Sequence, residues 1–270
     1  MMALFVGMLP VGAAQFPKVS GQATPGCFPL AAAGAVATIC TDAADFKVVG
    51  IAANLLADDV QRVTGRRPVV SPKLPRRAAV VAGTLGKSKL IDRLVAACRV
   101  DVSPIKGKRE SFIVLTTEHP SYHTPLLLVI GSDRRGTAFG LTSLSEAIGV
   151  SPWYWWADVV PQHQDSLFIE PAFFCQGEPS VQYRGIFIND ERFGGWARWA
   201  EQTFDAASGR VGPKTYQKVF ELLLRLKARL PARPWHHSAG SVGQLIYYSV
   251  PKTNIRMDGL TRTRVIYRAK

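Results

Sequence analysis

Residues 124–149 read TPLLLVIGSDRRGTAFGLTSLSEAIG. From Pro125 to Ile130 every position is apolar, rather than every second one, which is the pattern of a strand covered on both faces. Gly131 to Arg135 make a turn, and Gly136 to Ile148 are expected to be helical, with Gly149 as the stop. The helix starts with small residues, Gly136, Thr137, Ala138 and Gly140. Such a start lets a helix approach a sheet closely, and a glycine-rich strand-to-helix turn can also cradle phosphate. The spacing matches neither GxGxxG nor a P-loop, which favours close packing over an anion site.

Working upstream, ESFIVLTTE (110–118) is another apolar strand. KSKLIDRLVAAC (87–98) is a helix that follows AAVVAGTLG (78–86), a strand running into a glycine turn. FKVVGIAANLLADDVQRVTGRRPVV (46–70) reads as a short strand and then a helix whose inner face carries Ile51, Leu55, Val60 and Val63. Gly65 and Pro68 close that helix. Strands and helices interleave, so the first half of the chain is α/β.

Downstream lies SPWYWWADVVP (151–161), with four consecutive aromatics, Trp153 to Trp156. They fit a hydrophobic latch between two domains, or platforms for the C–H faces of sugars. A connecting strand and linker, QHQDSLFIEPAFFCQGEPS (162–180), lead to YRGIFINDE (183–191). There Ile186, Phe187 and Ile188 read as a buried strand that ends abruptly on Asn189, Asp190 and Glu191. After a loop with Gly194, Gly195, Trp196 and Trp199 comes the helix GPKTYQKVFELLLRLKA (212–228). Pro213 suits its first turn, and Tyr216, Val219, Phe220, Leu223 and Leu226 or Lys227 follow helical spacing. Strand, loop and helix make one β/α unit. In a β/α barrel, function collects where strands end and loops begin. A carboxylate there can accept sugar hydroxyls, hold a water or act as a base, while a capped turn accounts for Asn and Asp equally well.

The 270 residues suffice for one large or two ordinary domains, and 47% hydrophobic with 20% charged residues is the balance of a soluble globular protein. The net charge of +13 raises the question of a polyanion partner. However, from Ala228 to Lys270 eight Lys/Arg face the single acid Asp258, so +7 resides in that tail and only +6 in the rest. With no recognised nucleic-acid module beside the charge, nucleic acid is not the expected partner. No apolar run reaches membrane-span length. Cys27, Cys40, Cys98 and Cys175 include no CxxC pair, so no metal site is expected; two disulfides and free buried thiols remain open. His119 and His123 flank Pro120 and read as a surface loop, and the His236–His237 pair is a poor metal motif. MMALFVGMLPVGAAQF (1–16) has the shape of a secretory signal cut after Ala14, without a basic segment at its start. Residues 1–14 are therefore expected to be a signal peptide and the protein to be secreted.

The segments GSDRRGTAFGL, IGVSPWYWWADVVP, PSVQYRGIFINDE and YQKVFELLLRLKA closely resemble glycoside hydrolase family 115, the xylan α-glucuronidases. The resemblance is strongest over 129–161 and 179–228. It implies an N-terminal α/β domain (15–175) of the hexosaminidase domain 2 kind, followed by the first β/α unit (176–228) of an incomplete (β/α)8 barrel. The implied activity is inverting release of (4-O-methyl)glucuronic acid from glucuronoxylan or a glucuronic-acid-bearing oligosaccharide, with no cofactor. Asp190 matches the rim of the first barrel strand and is the candidate catalytic residue. Asn189 and Glu191 beside it are candidate substrate-binding residues, and so are Trp155 and Trp156. The alternative is a non-catalytic carbohydrate-binding α/β module that uses Trp153 to Trp156. From about Ala228 the chain leaves the family pattern. Residues 229–270 read as an aberrant basic tail from a shifted frame, a retained intron or a truncated gene. The expectation is a chain that lacks the general acid and is inactive alone.

Overall fold

A computed structural model of the protein describes residues 16–186, 195–208 and 211–228. These divide into two compact units. One takes in the chain to Val150 together with Val160–Glu178; the other takes in Ser151–Val159 and the chain from Pro179 onward.

In the first unit the described elements are β1 (Val19–Ser20), β2 (Phe28–Ala32), β3 (Ala35–Val36), β4 (Thr38–Thr41), α1 (Lys47–Thr64), β5 (Val70–Ser71), β6 (Ala79–Thr84), α2 (Lys89–Ala97), β7 (Phe112–Glu118), β8 (Pro125–Gly131), α3 (Arg134–Ala147), β9 (Leu167–Ile169) and β10 (Phe173–Gln176). The main sheet has the order β10-β7-β8-β6-β4-β5. β5, β4, β6 and β8 run parallel, whereas β7 joins β8 as an antiparallel hairpin and β10 adds antiparallel to β7. A smaller antiparallel sheet has the order β1-β9-β2-β3. The α/β expectation therefore holds, in mixed form.

Both faces of the main sheet are covered, as the unbroken apolar strands require. Val81, Leu126, Leu128 and Ile130 share a core with Ile91 and Leu94 of α2. The opposite face carries α3, which packs against α1 and against β6, β7 and β8. Close approach of α3 is what its small residues provide. A Cβ on Gly136 would lie 2.2 Å from the Ser111 carbonyl oxygen, and one on Gly140 would lie 2.5 Å from a Val129 methyl. The helix begins two residues before Gly136, because Asp133 accepts hydrogen bonds from the N–H groups of Arg135 (2.9 Å) and Gly136 (2.8 Å) and caps it.

Two readings of the 46–70 stretch need correction. KVVG is not a strand but the first turn of α1; the strand before it is Thr38–Thr41. The inner face of α1 is also rotated from the one expected. Ile51 is 56% exposed, while Ala52, Ala53, Leu56, Ala57, Val60 and Val63 are buried. α1 packs against α3, and the face that α1 buries is the alanine-rich one rather than the one that carries Ile51. Gly65 does end α1, in the left-handed conformation at φ 73°.

All four cysteines are free thiols, and Cys40 is fully buried in the core under α2. His119 and His123 sit in the β7–β8 connection, as expected of a loop. The His119 Nδ1 accepts the N–H groups of Ser121 and Tyr122 at 3.2 and 3.3 Å. Among the described residues no helix is long and apolar enough to cross a membrane, and no His/Cys/Asp/Glu cluster could hold a metal.

Candidate functional site

The second unit is built from α4 (Gly195–Phe204) and α5 (Pro213–Arg225), with the Ser151–Val159 segment against them. Asp205 fixes the start of α5. Its carboxylate accepts the N–H groups of Gly212 (3.0 Å), Thr215 (3.1 Å) and, at longer range, Lys214 (3.4 Å), as well as the Thr215 hydroxyl (2.6 Å). Burial alone would raise its pKa; these donors outweigh burial and hold the carboxyl below the usual aspartate value. At the other end, the Arg184 guanidinium donates twice to the Lys227 carbonyl, at 3.0 and 2.6 Å. The strand-like entry segment and the end of α5 are thereby tied together.

The buried side of α5 carries Tyr216, Val219 and Leu223, and Trp156, Ile186, Trp196 and Val211 pack against them. Phe220, expected on that face, is 41% exposed, and Leu222 and Arg225 are buried instead. The difference follows from the aromatic segment, which covers α5 on the side of Lys218, Glu221 and Arg225. Tyr154 donates its hydroxyl to Glu221 at 2.9 Å, and the Arg225 guanidinium lies over the Tyr154 ring at 4.9 Å. Glu221 also pairs with Arg225 and Lys218, each at 3.1 Å. Burial pushes the Glu221 pKa up, but the two cations and the Tyr154 hydroxyl overcome this and leave it below the ordinary glutamate value. These charges were not recognised in the sequence. At i, i+3 and i+4 on a helix they look like a solvated face, and only the aromatic segment lying on them shows otherwise.

Trp155 is half-buried among rings, with Trp156 at 5.0 Å, Phe204 at 5.2 Å and Trp199 at 6.0 Å between centroids, and the Lys218 ammonium lies 5.7 Å from its own centroid. Trp156 joins the α5 core. Pro152, Tyr154, Trp155, Trp156, Lys218 and Glu221 line a shallow surface recess that encloses no room even for a water molecule. Ligand pockets are far larger, roughly 300 Å³ and upward. In this arrangement the aromatics anchor the segment to α4 and α5. Trp199 keeps 41% of its surface exposed, more than a core residue would. The rim residues Asn189, Asp190 and Glu191 lie outside the described residues.

A sequence profile of Glycosyl hydrolase family 115 matches residues 176–240. A solved structure described as "a novel family GH115 4-O-Methyl-alpha-glucuronidase, BtGH115A, with specificity for decorated arabinogalactans" is 35% identical, with a TM-score of 0.62 over 71% of this chain. The match spans 24% of that structure's own length. A second, described as "Structure of CpGH84D", is 13% identical over 55% of this chain and 21% of its own, with a TM-score of 0.37, too low to bear on the fold. No curated protein sequence matches. The matched profile spans the linker, the YRGIFINDE segment and α5, the structural likeness covers most of the chain, and both point the same way: the chain belongs to glycoside hydrolase family 115.

Proposed function

We propose that this chain serves a secreted glycoside hydrolase that removes glucuronic acid, or its 4-O-methyl ether, from a decorated plant polysaccharide with inversion. The observation that carries this is the 35% identity, over most of the chain, to a structure described as a 4-O-methyl-α-glucuronidase. Glucuronoxylan is the substrate implied by the sequence motifs, whereas the neighbour is described as acting on decorated arabinogalactans. Both carry the same acidic sugar. In this reading the first unit is a non-catalytic domain of the hexosaminidase domain 2 kind. The second begins a (β/α)8 barrel, with Asp190 at the rim of its first strand.

Inversion needs an acid and a base on opposite sides of the bond, roughly 6.5–9.5 Å apart, with room for the attacking water. Asp190 supplies one side at most, as base or by positioning the water or sugar, with Asn189 and Glu191 beside it. The 270-residue chain alone is therefore expected to release no uronic acid. The test compares this chain with a version extended through a complete family 115 barrel, each with and without Asp190→Ala. Free uronic acid is assayed from glucuronoxylan and from arabinogalactan. The expected result is release by the extended protein only, lowered about 10²–10⁴-fold by Asp190→Ala. Release by the short chain above its Asp190→Ala control would overturn the incomplete-site reading. Full activity of the extended variant would remove Asp190 from the mechanism.

A further inference from the structure

We infer that Phe46, Lys87 and Arg134 form a second binding site, for an acidic saccharide, on the first unit. The choice of ligand class rests on the function proposed above; the site itself rests on the fold.

In the parallel part of the main sheet, β4 connects through α1 to β5 on one side. β6 connects through α2 toward β7 on the other. The carboxyl ends of β4 and β6 therefore flank a topological switch point, where open α/β sheets bind their ligands. Phe46 follows β4, Lys87 follows β6 and Arg134 follows β8, so three loops bring these residues to that edge. Phe46 is 37% exposed at the sheet's end, and the Lys87 ammonium and Arg134 guanidinium lie 5.6 and 5.9 Å from its ring centroid. The neighbouring Arg135 pairs with Glu110 at 3.0 Å. Among the described residues, no carboxylate lies within salt-bridge distance of Lys87 or Arg134.

Ligands at such edges are often phosphates held by backbone N–H groups. Here several of those donors are already held by side chains. Asp45 accepts the N–H groups of Phe46 (2.7 Å) and Thr84 (2.9 Å). Asp42 accepts those of Ala44 (2.9 Å) and Leu90 (3.3 Å). Ser88 takes that of Ile91 at 3.2 Å, and Asp133 those of Arg135 and Gly136. A phosphate would have to compete with these fixed carboxylates for the amides they hold. What the three loops present is the partly exposed Phe46 ring with the Lys87 and Arg134 cations over it. That set suits a pyranose ring bearing a carboxylate: C–H groups against the exposed part of the ring, and the carboxylate to Lys87 or Arg134.

The test is ligand-observed NMR on the full 270-residue chain, with glucuronate as probe and glucose and inorganic phosphate as controls. Glucuronate should bind at least tenfold more tightly than either control. Lys87→Gln with Arg134→Gln, and separately Phe46→Ala, should each weaken it at least tenfold. These side chains are exposed or nearly so, and unchanged unfolding midpoints would confirm intact folds. Asp190→Ala should leave this binding unaltered, so binding that disappears with Asp190 would place the sugar at the barrel rim and overturn the inference. So would phosphate binding as tightly as glucuronate, or variants that bind like the unaltered chain. Loss of hydrolysis in the extended protein with glucuronate still bound here would sink only the proposed activity. Hydrolysis without binding at this edge would sink only this site.

Discussion

Replacing Gly136 with alanine should destabilise the first unit, against the ordinary preference of helices for alanine. The added methyl would sit 2.2 Å from the Ser111 oxygen and 3.0 Å from its carbonyl carbon. Both are backbone atoms, so no rotamer change relieves the clash. Helix and strand must separate by roughly 1 Å to reach tolerable contact. The Ser111 carbonyl also accepts the Ser132 N–H and hydroxyl, both at 2.9 Å, and the Gly136 N–H is held by Asp133. Overpacking of this kind costs about 1–3 kcal/mol. Two strained hydrogen bonds add about 1 kcal/mol each. The intrinsic gain of Gly→Ala in a helix returns about 1 kcal/mol. The net loss is about 2–4 kcal/mol, or roughly 4–16 °C in Tm for a unit of this size. Calorimetry of the full chain, with hydrogen exchange of the β8 amides to locate the effect, measures it. Gly50→Ala in α1 is the internal control. Nothing lies within 4 Å of its added methyl, so it should stabilise by about 0.5–1 kcal/mol. If Gly136→Ala proved neutral or stabilising, the close-packing account of α3 would be wrong.

Asp205→Ala should remove the cap of α5 and destabilise the second unit by about 1–2 kcal/mol, read from denaturant midpoints. Because the folded-state pKa of Asp205 is depressed, its contribution is complete above the ordinary aspartate value of about 3.9 and fades as pH falls through the lower folded value. The alanine variant should accordingly lose less stability than the unaltered protein on acidification below about pH 4; parallel acid titrations would refute the capping role. Burial pushes the Cys40 thiol up to about 11, so at pH 8 it should be alkylated far more slowly than Cys27, and equal rates by mass spectrometry would contradict its placement in the core.

Sequence patterns revealed the parts of the fold where burial is two-sided or punctuation is strong. The apolar run ending at Gly131 is a buried strand, the stop at Gly65 is a left-handed helix cap, and the small-residue start of α3 makes the close contacts with the sheet. Period alone failed for α1, because it ranks residues by hydrophobicity and so favours Ile51 over its alanine neighbours; Ile51 points outward and Ala52 and Ala53 inward. The site was harder. Four adjacent aromatics announce an anchor, but their partners lie about 45–70 residues further on, in Trp199, Phe204, Lys218, Glu221 and Arg225. No local pattern links segments that far apart. The same distance explains Phe220: helical spacing places it on the inner face of α5, but the aromatic segment covers the adjacent side instead.

The position of the 151–159 segment has a consequence during synthesis. It leaves the ribosome with the first unit, yet Trp156 packs against residues as late as Ala228. Those 72 residues take about 4–14 s to make at ordinary translation rates. Over that interval the first unit can complete its sheet only once β9 and β10 have emerged, on the far side of an aromatic segment whose own partners do not yet exist. Newly made chains thus pass through a stage in which Trp155 and Trp156 are uncovered, and chaperone capture or premature self-association would act at that stage. Cutting the chain at Glu178 would make the same stage permanent.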